Sequence, residues 1–326
     1  MIGKDAGVPA RRGARWRFGP GAALAALALG AVVPARAAEF PLPEGAAAVG
    51  AVATATVGAG DTLLDIARQF DLGYAEIVAA NPGVDPWLPP VGGRIVLPMR
   101  FLLPDAPRRG IVVNLAERRL FYFPPHGGTV ETYPIGVAVD GLDSPLGATR
   151  VVAKVTDPAW YPPPSILAQE PGLPRVVPPG PDNPLGRFAL RLGWPNYLIH
   201  GTDKPDGVGR NVSHGCLHLY PEDIARLYRE VPVGTRVEVV RQEVLAAWSG
   251  GALFVEAYPD KQQVDAIDTG EPMPLRMPSD LVARVTSAAG DAERRLDWSA
   301  VARAGRERSG LPVEIIPAAL TASASE

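Results

Sequence analysis

Changes in the hydrophobic pattern divide the chain before any single residue is considered. Between residues 54 and 98, short alternating runs at either end enclose two stretches in which apolar residues recur at helical spacing. Asp61 or Thr62 can cap the first helix, and Asn81-Pro82-Gly83 stops the second. This order of alternating and helical spacing of the apolar residues predicts a small, complete βααβ unit. Its strands are expected at 53–57 and 94–97 and its helices at 63–70 and 74–80.

Short alternating runs divided by proline and glycine recur from residue 110 to residue 241, a pattern typical of a β-rich domain. Two of these runs, 111–115 and 119–123, are close enough in sequence to form a hairpin. One helix is expected from Pro221, because proline suits the first helical turn. Residues 157–184 carry ten prolines, which predicts a long ordered loop over the sheet. The other strand candidates are 129–137, 149–155 and 236–240.

The segments around these two units have weaker patterns. Residues 38–53 are small and contain prolines, which predicts a linker, and residues 99–109 are predicted to form a second one. Residues 242–326 are predicted to form a small α/β extension, with one strand at 253–257 and two helices at 279–288 and 297–304. This extension contains no motif with a recognisable chemistry.

Composition and charge narrow the class of protein. Hydrophobic residues make up 47% of the chain and charged residues 21%, so a folded protein is expected. The formal net charge is −3, but residues 1–37 carry six basic residues and one acidic residue. The remaining 38–326 therefore has a net charge of −8. Such an acidic protein lacks the basic surface of a nucleic-acid binder.

The N-terminus has the three parts of a secretory signal. Basic residues from Arg11 to Arg17 precede an apolar run over 21–33, and Ala35-Arg36-Ala37 resembles a cleavage site. The apolar run is shorter than the roughly 20 residues that span a bilayer, which disfavours the alternative of a permanent transmembrane helix. We expect residues 1–37 to be a cleaved signal peptide, and the protein to be periplasmic without an integral membrane anchor after cleavage. Arg11-Arg12 leaves the choice between the general and the twin-arginine export route open.

Cys216 is the only cysteine of the chain, which excludes an intramolecular disulfide. A lone cysteine is often a small buried hydrophobe. Here, however, His200-Gly201-Thr202 and Ser213-His214-Gly215-Cys216 bring two histidines and the thiol within 17 residues. An imidazole can convert the thiol into the nucleophilic thiolate. Gly215 allows a close backbone approach, so the amides of Gly215 and Cys216 are candidate donors to an oxyanion.

The spacing H-G-T-x6-G-x3-S-H-G-C resembles the active-site signature of the L,D-transpeptidase (YkuD-type) family. The resemblance spans roughly residues 110–241. The family's flanking residues are also present as Asn114-Leu115, Leu120-Phe121-Tyr122, Ser144-Pro145-Leu146-Gly147, Asn183-Pro184-Leu185-Gly186 and Tyr220-Pro221-Glu222-Asp223-Ile224.

Residues 54–98 resemble a LysM domain, a family that binds glycans containing N-acetylglucosamine, such as peptidoglycan and chitin. A helical spacer is the alternative interpretation of this unit. The landmarks of the family are present as Gly60-Asp61-Thr62-Leu63, Ile66-Ala67, Ile77, Asn81, Leu88, Gly92 or Gly93, Ile95 and Pro98.

The two resemblances together imply a mainly β protein. Its parts are a YkuD-like β-sandwich or barrel with one or two helices, a small βααβ LysM domain and a small α/β C-terminal extension. They also imply site residues: Cys216 as nucleophile, His200 as general base, the carbonyl of Gly201 as the group that orients this base, and His214 and Gly215 in the oxyanion-hole region.

Ser213, His218 and Arg210 are expected near the substrate. The family usually has arginine two residues after the cysteine, where this sequence has His218. A neutral imidazole would bind a substrate carboxylate more weakly than a guanidinium, and Arg210 is a candidate to compensate. The alternative is that His218 is a structural histidine that packs inside the domain.

The implied reaction is acyl transfer on peptidoglycan, without a metal or an organic cofactor. Cys216 attacks the carbonyl between diaminopimelate and the terminal D-Ala of a tetrapeptide stem, and a thioester forms as D-Ala leaves. The acceptor stays open: a second stem peptide, a lipoprotein lysine, or water, which makes the enzyme an L,D-carboxypeptidase.

Three other classes of protein are alternatives to an L,D-transpeptidase. His200, His214, Cys216 and His218 have the ligand types of a zinc site, but Gly215 and the flanks fit the transferase signature better. A non-catalytic cell-wall binding protein is compatible with the LysM-like unit, although the intact Cys-His pair argues against it. A papain-type peptidase would have its histidine downstream of the cysteine, whereas His200 precedes Cys216.

Overall fold

A computed structural model of the chain describes residues 38–139 and 144–318. The predicted signal peptide, residues 1–37, lies outside the described residues. The described chain is mainly β, as predicted, and its strands lie at β1 (Ala38–Pro41), β2 (Ala48–Gly50), β3 (Ala53–Thr56), β4 (Arg94–Leu97), β5 (Arg100–Leu102), β6 (Gly110–Asn114), β7 (Arg119–Phe123), β8 (Thr129–Pro134), β9 (Val137–Ala138), β10 (Gly147–Thr156), β11 (Phe188–Leu192), β12 (Leu198–His200), β13 (Asn211–Ser213), β14 (Leu217–His218), β15 (Arg236–Val240), β16 (Val244–Ser249), β17 (Ala252–Ala257) and β18 (Val313–Ile316).

The α-helices are α1 (Leu63–Gln69), α2 (Tyr74–Ala80), α3 (Pro164–Gln169), α4 (Pro221–Glu230), α5 (Lys261–Thr269), α6 (Leu281–Ala289) and α7 (Trp298–Glu307). In residues 38–139 and 144–318, no helix has the length and apolar character needed to cross a membrane.

One curled sheet of nine strands forms the centre of the molecule, in the order β1-β8-β7-β6-β15-β10-β11-β12-β14. Most neighbours are antiparallel, as in the predicted hairpin of β6 and β7, where Arg118 takes the left-handed turn conformation with φ 58°. Two pairs are parallel, β15 with β6 and β12 with β14. The second parallel pair lies at the end of the sheet that carries the predicted catalytic residues.

Both faces of the β6–β7 hairpin are buried. Ile111 and Val113 point into a core that α4 covers, whereas Val112 and Phe121 point to the opposite face. That opposite face packs against the apolar residues of α1 and its neighbours, including Ile66. A second buried face explains why β7 is buried at every position instead of alternating between exposed and buried residues.

Residues 53–97 form the predicted βααβ unit. Thr62 caps α1 through a capping box with Asp65, and β3 pairs with β4 to close the unit. Its polar edge is joined to the large sheet: fully buried Arg119 donates to Glu76 at 2.9 and 3.0 Å and to the carbonyl of Asp71 at 2.9 Å. The unit is therefore packed onto the sheet rather than tethered to it.

A glycine makes a further contact of this unit with the catalytic domain possible. The Tyr74 N–H donates to the carbonyl of Val208 at 3.1 Å. Gly209 adopts φ +84°, and a Cβ at this position would lie 2.3 Å from the Tyr74 nitrogen. Only glycine is compatible with both this conformation and this approach. Gly209, which the sequence comparison assigned to the active-site motif, thus also forms the contact between the two domains.

The structure corrects the two predicted linkers. In 38–53, β1 pairs with β8 at the edge of the large sheet, and β2 pairs with β5, which lies in 99–109. The small residues of these segments give no clear alternation, so the sequence pattern did not predict the strands. Their strand structure depends on pairing partners distant in sequence. Both segments are parts of sheets rather than spacers.

The C-terminal extension contains more structure than predicted. The predicted strand and helices correspond to β17, α6 and α7. The structure adds β16 and β18, which flank β17 in a three-stranded sheet, and the helix α5. Buried Arg308 fastens α5 within the extension, with ion pairs to Glu243 at 2.6 Å and Asp260 at 3.3 Å.

The predicted proline-rich loop over 157–184 contains only the short helix α3 and a single bridge between Trp160 and Val177. Buried Asn183 holds the loop together, because its side-chain amide donates to the carbonyls of Pro158, Val177 and Pro178.

A buried acid connects the extension to the rest of the molecule. Glu256 accepts the Leu102 N–H at 3.1 Å and the Tyr258 hydroxyl at 2.5 Å. Burial, which outweighs these hydrogen bonds and Arg100, raises the pKa of Glu256 to about 8 from an ordinary 4.5. The carboxyl group is therefore held in its neutral form over much of the physiological pH range.

We predict that Glu256→Gln flattens the pH dependence of stability. An acid whose pKa is raised by folding stabilises the folded state below pH 4.5, and this contribution is lost as the pH rises towards about 8. The loss is at most about 1.4 kcal/mol per pH unit. Urea unfolding at pH 5 and pH 8 should show a larger decrease for the wild type than for Glu256→Gln. Exposed Glu44→Gln is the control, and equal decreases in all three proteins would contradict the assignment.

Candidate active site

The parallel pairing of β12 and β14 brings the predicted catalytic residues together. His200 lies opposite His218, and Ile199 lies opposite Leu217. Cys216 directly precedes β14 and lies two residues before His218. The ring centroids of His200 and His218 are 6.2 Å apart. His200 and Cys216, which are separated by the loop between β12 and β14, thus lie at the same edge of the sheet.

His200 is buried and held in one orientation. Its Nδ1 is 2.5 Å from the carbonyl oxygen of Gly201, so Nδ1 carries the proton and donates it to that carbonyl. Nε2 is consequently the atom able to accept a proton. Burial, followed by the neighbouring His218, lowers the pKa of His200 to about 3, although the bond to Gly201 opposes this effect. The imidazole is therefore neutral, which is the form that a general base requires.

Cys216 is partly buried, and burial raises the pKa of its thiol. The thiol donates to the carbonyl of Asn196 at 3.6 Å, and it has no hydrogen bond with His200 within the described chain. Both members of the pair are thus neutral in this arrangement. If His200 is the base for this thiol, as predicted, the thiol has to turn from Asn196 towards Nε2 of His200.

Ser213 organises the turn that carries the thiol. Its hydroxyl donates to the carbonyl of Cys216 at 2.6 Å and accepts the Gly215 N–H at 3.3 Å. Ser144 donates to the carbonyl of Gly215 at 2.7 Å, and Gly215 itself adopts φ 110°. The hydroxyl of Ser213 therefore stabilises the turn, and its contact with substrate stays a prediction.

The backbone amides of this turn are not equivalent. The Gly215 N–H points to Ser213, whereas the Cys216 N–H has no acceptor among the described residues. The side chain of His214 is exposed to solvent. Of the donors predicted for an oxyanion, the amide of Cys216 is therefore the one that is available in this conformation.

His218, predicted either to contact substrate or to be a structural histidine, is buried. The side chain is 6% exposed, and burial lowers its pKa to about 4. It lies against two glycines: a Cβ at Gly136 would be 1.9 Å from its Nε2, and one at Gly207 would be 3.2 Å away. The alternative of a structural histidine is thus the one that the structure favours.

Arg210, the candidate to compensate for His218, points towards the LysM-like unit and the C-terminal extension. Its guanidinium lies 3.6 Å from the ring centroid of Tyr74 and makes an ion pair with Asp268 at 3.4 Å. These contacts hold the guanidinium between α2 and α5, although its Nε has no hydrogen-bond partner within the described residues. The predicted role of Arg210 in substrate binding is therefore not supported.

The sequence alone did not predict a function in the site for two residues near the thiol. Asn196 accepts the thiol from a left-handed turn with φ 67°, and Ser144 holds the carbonyl of Gly215. Pro195 and Asn196 are residue types that favour turns, and Ser144 belongs to one of the family's flanking segments. Neither signal tells which atom the residue contacts.

In the part of the chain that the structure describes, no group of three or more His, Cys, Asp or Glu residues is arranged to hold a metal ion. The zinc alternative based on His200, His214, Cys216 and His218 therefore lacks a ligand set.

Comparisons with known proteins show the family of the chain. Residues 108–239 match the L,D-transpeptidase catalytic domain of the YkuD family, and residues 55–98 match the LysM domain. "Probable L,D-transpeptidase YcfS" of Escherichia coli K12 is 38% identical over 317 residues, which cover 93% of this chain and 95% of the relative. "Probable L,D-transpeptidase ErfK/SrfK" of the same organism is 37% identical over 286 residues, 85% of this chain and 90% of the relative.

The fold and these matches define the chain as an acyltransferase. It belongs to the L,D-transpeptidase family and combines a YkuD-type catalytic domain with a LysM domain. Both domains imply an interaction with peptidoglycan.

We predict that His218→Arg destabilises the protein and does not lower KM. Arginine is larger than the space between Gly136 and Gly207, and overpacking of this kind costs about 1–3 kcal/mol. Thermal unfolding should show a lower Tm than for the wild type, whereas His126→Arg, on an exposed turn, should leave Tm unchanged. An unchanged Tm together with a lower KM for a tetrapeptide substrate would instead restore the carboxylate contact.

Proposed function

We propose that the protein is a peptidoglycan L,D-transpeptidase that acts through a thioester on Cys216. The observation that carries the proposal is the pairing of β12 with β14. It places His200, with Nδ1 directed to the Gly201 carbonyl, beside the strand that begins after Cys216. A neutral imidazole next to the only thiol of the chain is the arrangement that nucleophilic acyl transfer requires.

The first half-reaction cleaves the bond between diaminopimelate and the terminal D-Ala of a tetrapeptide stem. Nε2 of His200 takes the proton of Cys216, and the sulfur attacks the carbonyl carbon. The negative charge that develops on the carbonyl oxygen faces the unused N–H of Cys216. The tetrahedral intermediate then collapses, the proton on His200 passes to the departing amine of D-Ala, and the thioester remains.

The second half-reaction transfers the acyl group to an acceptor amine. His200 takes a proton from the amine as the amine attacks the thioester, and it returns the proton to the sulfur of Cys216. A second stem peptide as acceptor produces a direct cross-link between diaminopimelates, and a lipoprotein lysine attaches that protein to the wall. Water as acceptor makes the same site an L,D-carboxypeptidase. These steps need no metal or organic cofactor.

The other parts of the chain fit a wall-associated enzyme. We propose that residues 1–37 direct export to the periplasm and that the LysM domain, residues 54–98, contacts glycan strands. Residues 110–241 form the catalytic domain and residues 242–326 the C-terminal extension. The second candidate function is that of a non-catalytic wall-binding protein. The position of the neutral His200 imidazole beside the strand that follows Cys216 argues against it.

The decisive experiment incubates residues 38–326 with disaccharide-tetrapeptides and determines the product masses. We predict cross-linked dimers that have lost one D-Ala, and no product from Cys216→Ala. Thr202→Ala, which retains both catalytic side chains, is a control that should keep most of the activity. Monomers that have lost D-Ala without dimers would indicate a carboxypeptidase. Turnover by Cys216→Ala, or none by the folded wild type, would contradict the proposal.

A further inference from the structure

The strand that leads to the catalytic turn is held from outside the catalytic domain. β13 ends at Ser213, whose hydroxyl bonds to the carbonyl of Cys216. β13 pairs only with β9 within the described sheets, and the Val139 N–H donates to the carbonyl of Ser213 at 3.0 Å. A two-stranded ribbon of this length is marginal by itself. Its position therefore depends on what packs against it.

The helix α5 of the C-terminal extension supplies that support through one buried side chain, Asn211. The amide nitrogen of Asn211 donates to the carbonyl of Lys261 at 3.1 Å and to the carboxylate of Asp265 at 2.9 Å. The amide oxygen of Asn211 accepts two bonds from Arg118, at 3.1 and 3.3 Å. Arg118 donates to both acceptor positions of the amide oxygen, and residues of α5 accept both protons of the amide nitrogen.

A second bond joins α5 to the partner strand of the ribbon. The ammonium group of Lys261 donates to the carbonyl of Val139 at 3.1 Å, immediately after β9. α5 is itself fixed, because Asp260 and Gln263 form a capping box and buried Arg308 ion-pairs with Asp260. The contacts therefore run from the extension, through both strands of the ribbon, to the turn that carries the thiol.

We propose that the C-terminal extension is a positioning element of the active site, and that Asn211 is the positioning residue through which α5 holds the Cys216 turn. This inference rests on the proposed function, in which the thiol must reach an acyl carbon. Displacement of a reacting group by about 1 Å can slow a reaction by about a hundredfold. The extension thus acts on catalysis without contacting substrate.

Asn211→Asp tests the contact with almost no change in shape. The carboxylate still accepts the bonds from Arg118, but it meets the carbonyl of Lys261 and the carboxylate of Asp265 without a proton to donate. The double variant Asn211→Asp/Asp265→Asn reverses the donor and the acceptor and restores one bond to α5. Asp265→Asn alone keeps an acceptor for Asn211, and exposed Asp291→Ala is a control elsewhere on the extension.

Two readouts separate positioning from a loss of stability. The first is the rate of Cys216 acylation by a carbapenem, measured by intact mass well below Tm, and the second is hydrogen exchange in the peptide over 208–219. We expect Asn211→Asp to acylate at least about tenfold more slowly and to exchange faster, and the double variant to recover most of both losses.

Wild-type rates of acylation and exchange in Asn211→Asp would overturn the inference. A slow Asn211→Asp that the double variant does not rescue would also overturn it, because the defect would then belong to Arg118. Exchange needs no turnover, so it decides the positioning role independently. Failure of the proposed function would appear differently, as a wild type that is not acylated.

Discussion

The parallel pairing of β12 with β14 is the constraint on which the active site depends. Parallel neighbours cannot be joined by a tight turn, so the chain must leave the sheet after His200 and return before Leu217. The excursion contains β13 and the turn of Ser213 to Cys216. His200, the proposed base, is thus fixed by the sheet, whereas Cys216, the proposed nucleophile, is fixed by the residues that hold the excursion in place.

The domains around the sheet form one packed body at this excursion. The LysM domain contacts it through Tyr74 and Gly209, and the C-terminal extension contacts it through α5. Arg210 lies between the two, stacked on Tyr74 and paired with Asp268. Burial of both faces of the β6–β7 hairpin joins the same parts through apolar contacts. A glycan-binding domain and a catalytic turn therefore share their supporting residues.

Local signals in the sequence predicted much of this arrangement. The helix cap, predicted at Asp61 or Thr62 and found at Thr62, the β6–β7 hairpin and the His200 and Cys216 motif all depend on residues close together in the chain. Sequence patterns report such relations directly. The edge strand β1 was missed because its pairing with β8 joins residues about 90 positions apart. The directions of the His218 and Arg210 side chains could not be predicted from the sequence for the same reason. Gly136, Gly207, Tyr74 and Asp268 determine these directions, and no local pattern links them to the motif.

His200 is proposed to serve as the base for a nucleophilic Cys216. The most direct measurement is the rate at which an acyl-enzyme forms on Cys216, followed by intact mass and located by peptide mapping, in the wild type and in His200→Asn. We predict a single adduct on Cys216 in the wild type, and formation at least about a hundredfold slower in His200→Asn, because a lost general base costs this order of rate. Acylation of His200→Asn at the wild-type rate, or an adduct at any other residue, would contradict the account.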